Sequence, residues 1–389
     1  MEASTPLSNI PNEIIQHILL QLPMKAVIRC QCVCKQWHSL INHDSNFKLL
    51  YRGQRRLITL SLESKTLRDS NWNSRFLVRS TTHDFRLQRH KCPFGEAPFP
   101  SVYCVTPLCS CNGFVLLGAG RKIVLWNPST RCLTKVLKLP YPDELKLVIL
   151  GGLCYDPCTR DYKVVLLIRS ITQPRFEFGY PFVISASLNH KEWRPMQFPY
   201  DLKSARGSVE FRNTFHWWAS DIKDWDWDIK DWDGDRNMIL YFDPVRDEFR
   251  ILPTPELRKK FSIVGLGVID DCLSMACIVH KAETFKTQTM QVLIMKEYGI
   301  QESWMTAFAI QMPQSPYTCM GYYLTFYSQK NNAQEVLFLR ITDYYFWGKV
   351  YVYDRRKDEL KEVRIDFLEQ NSGYDYFGGM CFYVESFIN

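Results

Sequence analysis

The sequence predicts an α+β multidomain protein: a small three-helix module over residues 1–50, then a mostly antiparallel, β-propeller-like domain of about six blades. Three observations predict it. The first fifty residues carry apolar side chains at helical spacing, punctuated by two prolines. Beyond residue 100, short β-rich runs alternate with Gly, Pro, Asn and Asp. Along those runs an aromatic-Asx-Pro turn recurs, and the units around it are about 40 to 55 residues long, as propeller blades are.

The helices come first. Ile14, Ile15, Ile18, Leu19 and Leu22 follow helical spacing behind Pro11, whose fixed φ suits a first turn. Pro23 stops that helix and opens a second one carrying Ala26, Val27 and Cys30. The third presents Val33, Trp37, Leu40 and Ile41 at i, i+4, i+7 and i+8. Roughly forty residues are too few to bury so many large apolar groups unaided. The module therefore needs a cover, either the rest of the chain or a partner.

The order of these residues is specific. Ile10-Pro11, Glu13-Ile14, Ile18-Leu19, Leu22-Pro23, Arg29-Cys30, Val33-Cys34-Lys35-Gln36-Trp37 and Leu40-Ile41 resemble the F-box, with Ile10 where that family has leucine. F-boxes dock a Skp-type adaptor, which tethers them to a cullin scaffold of a ubiquitin ligase. The resemblance implies that Ile10, Pro11, Ile14, Leu19, Leu22, Pro23, Val27, Val33, Cys34 and Trp37 lie at or near that interface. Some of these ten must instead hold the helices together.

The formal net charge of +7 is concentrated in one stretch. Residues 48–91 hold three acidic side chains and eleven basic ones, including Lys48, Arg52, Arg55, Arg56, Arg86, Arg89 and Lys91. Such a run can bind nucleic acid or acidic partners. It contains no nucleic-acid motif, and a solvated linker is the plainer reading. Residues 51–100 are read as linker and first β segment, and 101–389 as the main β domain.

In that domain the strand candidates include Val115–Leu117, Ile123–Trp126, Lys163–Leu167, Met238–Phe242, Val292–Met295, Glu335–Leu339 and Lys349–Tyr353. The turn motif stands at Trp126-Asn127-Pro128, Tyr155-Asp156-Pro157 and Phe242-Asp243-Pro244, with a degenerate copy at Tyr353-Asp354-Arg355. Asx caps such a turn and Pro fixes φ. Leu188–Trp193 and Met295–Trp304 look like divergent versions of the same hairpin. The predicted units are Tyr103–Pro140, Gly151–Pro199, Gly207–Pro255, Phe261–Ile310 and Tyr323–Ile365. Residues 55–90, joined by Met380–Val384, would supply the sixth and close the ring; a large sandwich is the competing arrangement.

A second resemblance covers residue 100 onward. Cys111-Asn112-Gly113-Phe114-Val115, Trp126–Arg131, Gly152–Pro157, Asp161–Val165, Phe215–Ala219, Met295–Gly299 and Tyr383-Val384-Glu385-Ser386 look like the kelch-like F-box-associated domain of plant F-box proteins. One departure is Arg212-Asn213 before Thr214-Phe215, where the family has Asn-Gly. The other is a tandem repeat, Asp221–Trp227 followed by Asp228–Gly234, in which seven Asp and two Lys fall within residues 221–235. Its acid spacing fails the EF-hand pattern, which wants Gly at position 6 and Glu at 12. Trp225, Trp227 and Trp232 make it a candidate target-binding loop, since Trp is enriched at interface hot spots; a tolerated duplication is the alternative.

Catalytic and metal signatures are missing. No Gly-x-Ser-x-Gly, His-Glu-x-x-His or Gly-x-x-x-x-Gly-Lys occurs, and His216 beside two Trp reads as a packed residue. Cys30, Cys32 and Cys34 lack a second ligand pair and read as buried small hydrophobes rather than metal ligands. No cofactor is expected, no apolar run reaches membrane-spanning length, and the N-terminus lacks a secretory signal. The expectation is a non-catalytic subunit, cytoplasmic or nuclear, that joins a Skp-type adaptor to an unidentified target protein. The alternatives are a propeller that binds without ubiquitin chemistry, a propeller enzyme, or a nucleic-acid-associated protein using residues 48–91.

Overall fold

The computed structural model describes residues 10–53, 55–63, 75–81, 86–91, 93, 105–119, 122–141, 146–172, 177–198, 204–220, 238–255, 261–279, 288–313, 322–329, 332–342, 348–363 and 377–387. Four helices open the chain: α1 (Asn12–Gln21), α2 (Met24–Cys30), α3 (Lys35–His43) and α4 (Ser45–Leu50). Pro11 and Pro23 sit at the N-cap positions of α1 and α2, each with an extended ψ near 145°. Their carbonyls accept the first helical hydrogen bonds, from Ile14 and Ile15 and from Ala26 and Val27.

The fourth helix corrects the expected three. Asp44 ends α3 in extended backbone, and its carboxylate accepts the Phe47 N–H at 2.8 Å. That cap starts one further short helix. Phe47 thereby joins Ile15, Leu19, Met24, Val27 and Ile41 in the helical core.

Among the described residues, every later element is a strand or a turn, apart from a 3-10 turn at Gln301–Ser303. Four sheets have four strands and a fifth has eight. The first unit takes β1 (Arg55–Glu63), β2 (Arg75–Thr81) and β3 (Leu87–His90), with β24 (Phe377–Val384) as its inner strand. The second is β4 (Val105–Cys111), β5 (Phe114–Ala119), β6 (Lys122–Asn127) and β7 (Cys132–Lys138). The third is β8 (Lys146–Asp156), β9 (Asp161–Thr172), β10 (Glu177–Ser187) and β11 (Trp193–Met196). The fourth is β12 (Ser204–Phe211), β13 (Thr214–Ser220), β14 (Met238–Asp243) and β15 (Glu248–Leu252).

The eight-stranded sheet is two such units side by side. One is β16 (Phe261–Ile269), β17 (Cys272–Val279), β18 (Gln288–Met295) and β19 (Trp304–Met312). The other is β20 (Tyr322–Gln329), β21 (Asn332–Thr342), β22 (Gly348–Asp354) and β23 (Glu359–Val363). Their inner strands β16 and β20 pair in parallel, Gly265 opposite Leu324 and Gly267 opposite Phe326. A Cβ on either glycine would fall 2.2 Å or less from a β20 carbonyl oxygen, so glycine permits the approach. Six propeller-like units result, close to the predicted boundaries.

The turn motif works as its chemistry requires. Asn127, Asp156, Asp243 and Asp354 each accept two backbone N–H bonds from the residues two and three positions on. The expected departure at Arg212-Asn213 still makes a tight two-residue turn: both residues are left-handed, φ 54° and 62°, like Asn112 (52°) and Gly113 (87°).

Two expectations are corrected. Within the basic stretch, the described residues from 55 onward form β1, β2 and β3, as the sixth-blade reading expected, rather than a solvated linker. Arg55 lies 3.5 Å above the Tyr327 ring, and Arg56 pairs with the Glu385 carboxylate. Nor are all three cysteines of the helical module buried: Cys30 is partly covered, but Cys32 and Cys34 are exposed. Cys32 lies in the turn after α2 and Cys34 is the N-cap of α3, so neither faces the helical core.

Candidate functional site

Burial divides the ten residues that the resemblance singled out. Leu19 and Val27 are fully buried, and Leu22 and Trp37 pack half-buried against the helical core. These four hold the helices together. Ile10, Pro11, Ile14, Pro23, Val33 and Cys34 face solvent. Within α1 the helical period explains the division, since Ile15 and Leu19 point inward four residues apart while Ile14 and Ile18 point outward, with Ile10 exposed just before the helix.

This exposed set is unusually apolar for a surface. Ile10, Ile14 and Ile18 are 46%, 51% and 47% exposed, and Val33 is 62% exposed. Ile18 and Ile28 were not singled out as interface residues, although the four-residue step from Ile14 already pointed to Ile18. Large apolar groups exposed on α1, just before it and in the turn before α3 mark a surface built for contact.

The helices are seated on the propeller through the segment after β24. Gly53 N–H donates to the Glu385 carbonyl at 2.9 Å. Ser386 Oγ donates to the Asn112 carbonyl at 2.8 Å, and Asn127 Nδ2 donates to the Ser386 carbonyl at 3.2 Å. Phe387 then enters the helical core. Arg52 donates to Oδ1 of both Asn112 and Asn213, linking two hairpin turns on this side. Three of the motif pieces, Asn112-Gly113, Trp126-Asn127-Pro128 and Tyr383-Val384-Glu385-Ser386, therefore meet at one junction.

The acidic repeat with Trp225, Trp227 and Trp232 lies outside the described residues. The strands that flank it are described: Ser220, the last residue of β13, pairs with Ser204 at the end of the hairpin remote from the Arg212-Asn213 turn.

Among the described residues, the histidines do not assemble a reactive centre. His216 is fully buried, its Nε2 lies 2.8 Å from the Tyr298 hydroxyl, and burial lowers its pKa to about 3. His90 Nε2 lies 2.6 Å from Ser80 Oγ, but Ser80 is itself buried within β2. Burial, then Arg131 and Arg56, lower the His90 pKa to about 4. Among the described residues, no group of three or more His, Cys, Asp or Glu side chains is placed to hold a metal, and no helix is long and apolar enough to cross a membrane.

Comparison with known families agrees with this layout. A family model described as F-box-like matches residues 7–52, and one described as F-box associated beta propeller domain matches residues 66–384. The chain is similar to F-box protein CPR1 of Arabidopsis thaliana, 26% identical over 347 residues that cover 79% of this chain and 75% of the relative. It is also similar to F-box/kelch-repeat protein At3g23880 of the same plant, 28% identical over 324 residues covering 78% of this chain and 79% of the relative.

Proposed function

The chain belongs to the F-box-associated β-propeller family, and from the F-box-like segment that precedes this domain we propose that it is the substrate-recognition subunit of an SCF-type (Skp–cullin–F-box) ubiquitin ligase. The observation that carries this reading is the uncovered stripe of Ile10, Ile14 and Ile18 with Val33 beside the buried Leu19 and Val27. A helical module that faced only its own propeller would not leave these groups in water. The Skp-type adaptor covers them, and the cullin scaffold is reached through it.

The chain itself performs no bond chemistry. It acts by proximity, holding a target lysine near a ubiquitin-charged enzyme so that an encounter between molecules becomes a local one. The target is held on the propeller side remote from the helices, with Trp225, Trp227 and Trp232 as its candidate anchors. The complex works in the cytoplasm, the nucleus or both.

Co-purification of the full chain with a Skp-type adaptor tests this. The wild type should be captured together with adaptor and cullin. Replacing Ile14 by Asp should lower adaptor affinity at least about tenfold, as expected for a central apolar anchor, with an unchanged circular dichroism spectrum. Failure of the folded wild-type chain to bind the adaptor would remove the proposal. The triple Trp-to-Ala variant should keep the adaptor and lose targets in quantitative interaction proteomics; an unchanged target set would reduce the repeat to a tolerated duplication.

A further inference from the structure

The helical module and the propeller are joined by the covalent run from Tyr51 to Arg55, within which Arg52 donates to the Leu49 carbonyl of α4 and to Oδ1 of Asn112 and Asn213. They are joined again, from the far end of the chain, by the segment that follows β24. Its Glu385 carbonyl accepts from Gly53, and its carboxylate pairs with Arg56. Ser386 is fully buried and bonded to two different turns of the second unit, through the Asn112 carbonyl and the Asn127 amide. Phe387 then leaves the propeller, and its ring centroid stands 4.8 Å from that of Tyr51 and 6.5 Å from that of Phe47.

The seat is built for this segment. A Cβ on Gly113 would fall 2.1 Å from Ser386 Oγ, and one on Gly53 would fall 2.6 Å from the Glu385 Cβ. Glycine at both positions lets the two backbones close on the segment. A module tied to its neighbour by one strand of chain can swivel about that strand. A second tie, entering its core from the neighbour's side, removes the swivel.

We propose that Glu385-Ser386-Phe387 is a positioning strap, in which Ser386 is clamped to the propeller and Phe387 is a plug in the helical core, so that the helical module keeps one orientation on the propeller. Resting on the reading above, this also fixes the direction in which a target is presented to the ligase. Phe387 contributes no adaptor contact in this scheme: it acts through Tyr51 and Phe47.

The test uses the full chain, free of adaptor. The chain has fourteen cysteines, so spin labels are carried on genetically encoded non-natural residues at the exposed positions Lys25 of α2 and Lys122 of β6. The wild type should give one narrow distance distribution between them. Two variants slacken the strap differently. F387A removes the plug and should speed amide exchange in α1 and α4 about a hundredfold or more, given what a buried aromatic contributes to a core. A Gly-Ser-Gly insertion between Ser386 and Phe387 keeps the plug and should leave that exchange within about threefold of wild type.

Both variants should broaden the distance distribution several-fold, and F387L should restore it. A distribution as narrow as wild type in either F387A or the insertion variant overturns the strap. So does a broad distribution in the wild type. Neither measurement involves the adaptor, so a chain that fails to bind it would defeat the ligase reading while the strap is judged on its own result.

Discussion

Lys191 has a φ of 59°, in the left-handed region that a side chain enters at a cost of about 1 kcal/mol or more. Arg131, Arg160, Asp247 and Asp358 hold the equivalent place in their own turns, each four residues after the residue that opens the turn, and Gly299 does so with no side chain. Lys191→Gly should therefore stabilise the protein by on the order of 0.5–1 kcal/mol and raise Tm by about 1 °C in differential scanning calorimetry. The turn-opening Asx residues differ in a second way. Asp354 serves only its own turn and Lys357, whereas Asn127 also donates to Ser386. N127A should cost about 1–2 kcal/mol more than D354A in chemical denaturation, because a buried carbonyl loses its partner as well. Equal losses would mean that Ser386 is held without Asn127.

At the scale of elements, α4 depends on one cap. Its six residues are too few to be stable alone, and the Asp44 carboxylate on Phe47 N–H starts it. D44A should destabilise the helical module by about 1 kcal/mol, read as faster amide exchange in α4 while the propeller strands keep theirs. The brevity of α4 also explains why it was not legible in the sequence: Ser45–Leu50 is less than two turns, so no period emerges, and the Asp44 cap was the sole signal. The strands were legible for the opposite reason. Their turn residues repeat, and the hydrogen bonds of Asn127, Asp156, Asp243 and Asp354 are local consequences of residue type. The candidate site came from the F-box resemblance as ten residues, and local spacing did not separate the six that face solvent from the four that pack inward. Nor was the seat under it legible, because Phe387 meets Tyr51 across more than 300 residues of chain and no local pattern announces such a contact.

The whole molecule is closed by the same long-range pairing. β24 lies antiparallel to β1, Val384 opposite Arg55 and Cys381 opposite Ile58, so the end of the propeller is sewn to its beginning. Two neutral histidines sit inside that propeller. His90 is lowered to about 4 by burial and by Arg131 and Arg56, and His216 to about 3 by burial. Both lie below the value near 6.5 of an unfolded histidine. Between pH 6.5 and about 4, protons therefore bind the unfolded chain before the folded one, and stability falls as pH falls. Above pH 6.5 both states are neutral at these sites and the contribution is level. For His216, fully buried and bonded to Tyr298, the loss at the acid end is on the order of a few kcal/mol. Thermal melts of the wild type should hold near pH 7 and drop steeply from pH 6 to pH 4. The double variant H90Q and H216Q has no imidazole to protonate and can still hydrogen-bond Ser80 and Tyr298. It should start from a somewhat lower Tm at pH 7 and lose less of it on acidification. An acid slope as steep as that of the wild type would assign the pH dependence to the carboxylates, among which Asp156 and Asp354 are already held low by turn N–H groups and by Lys163 and Lys357.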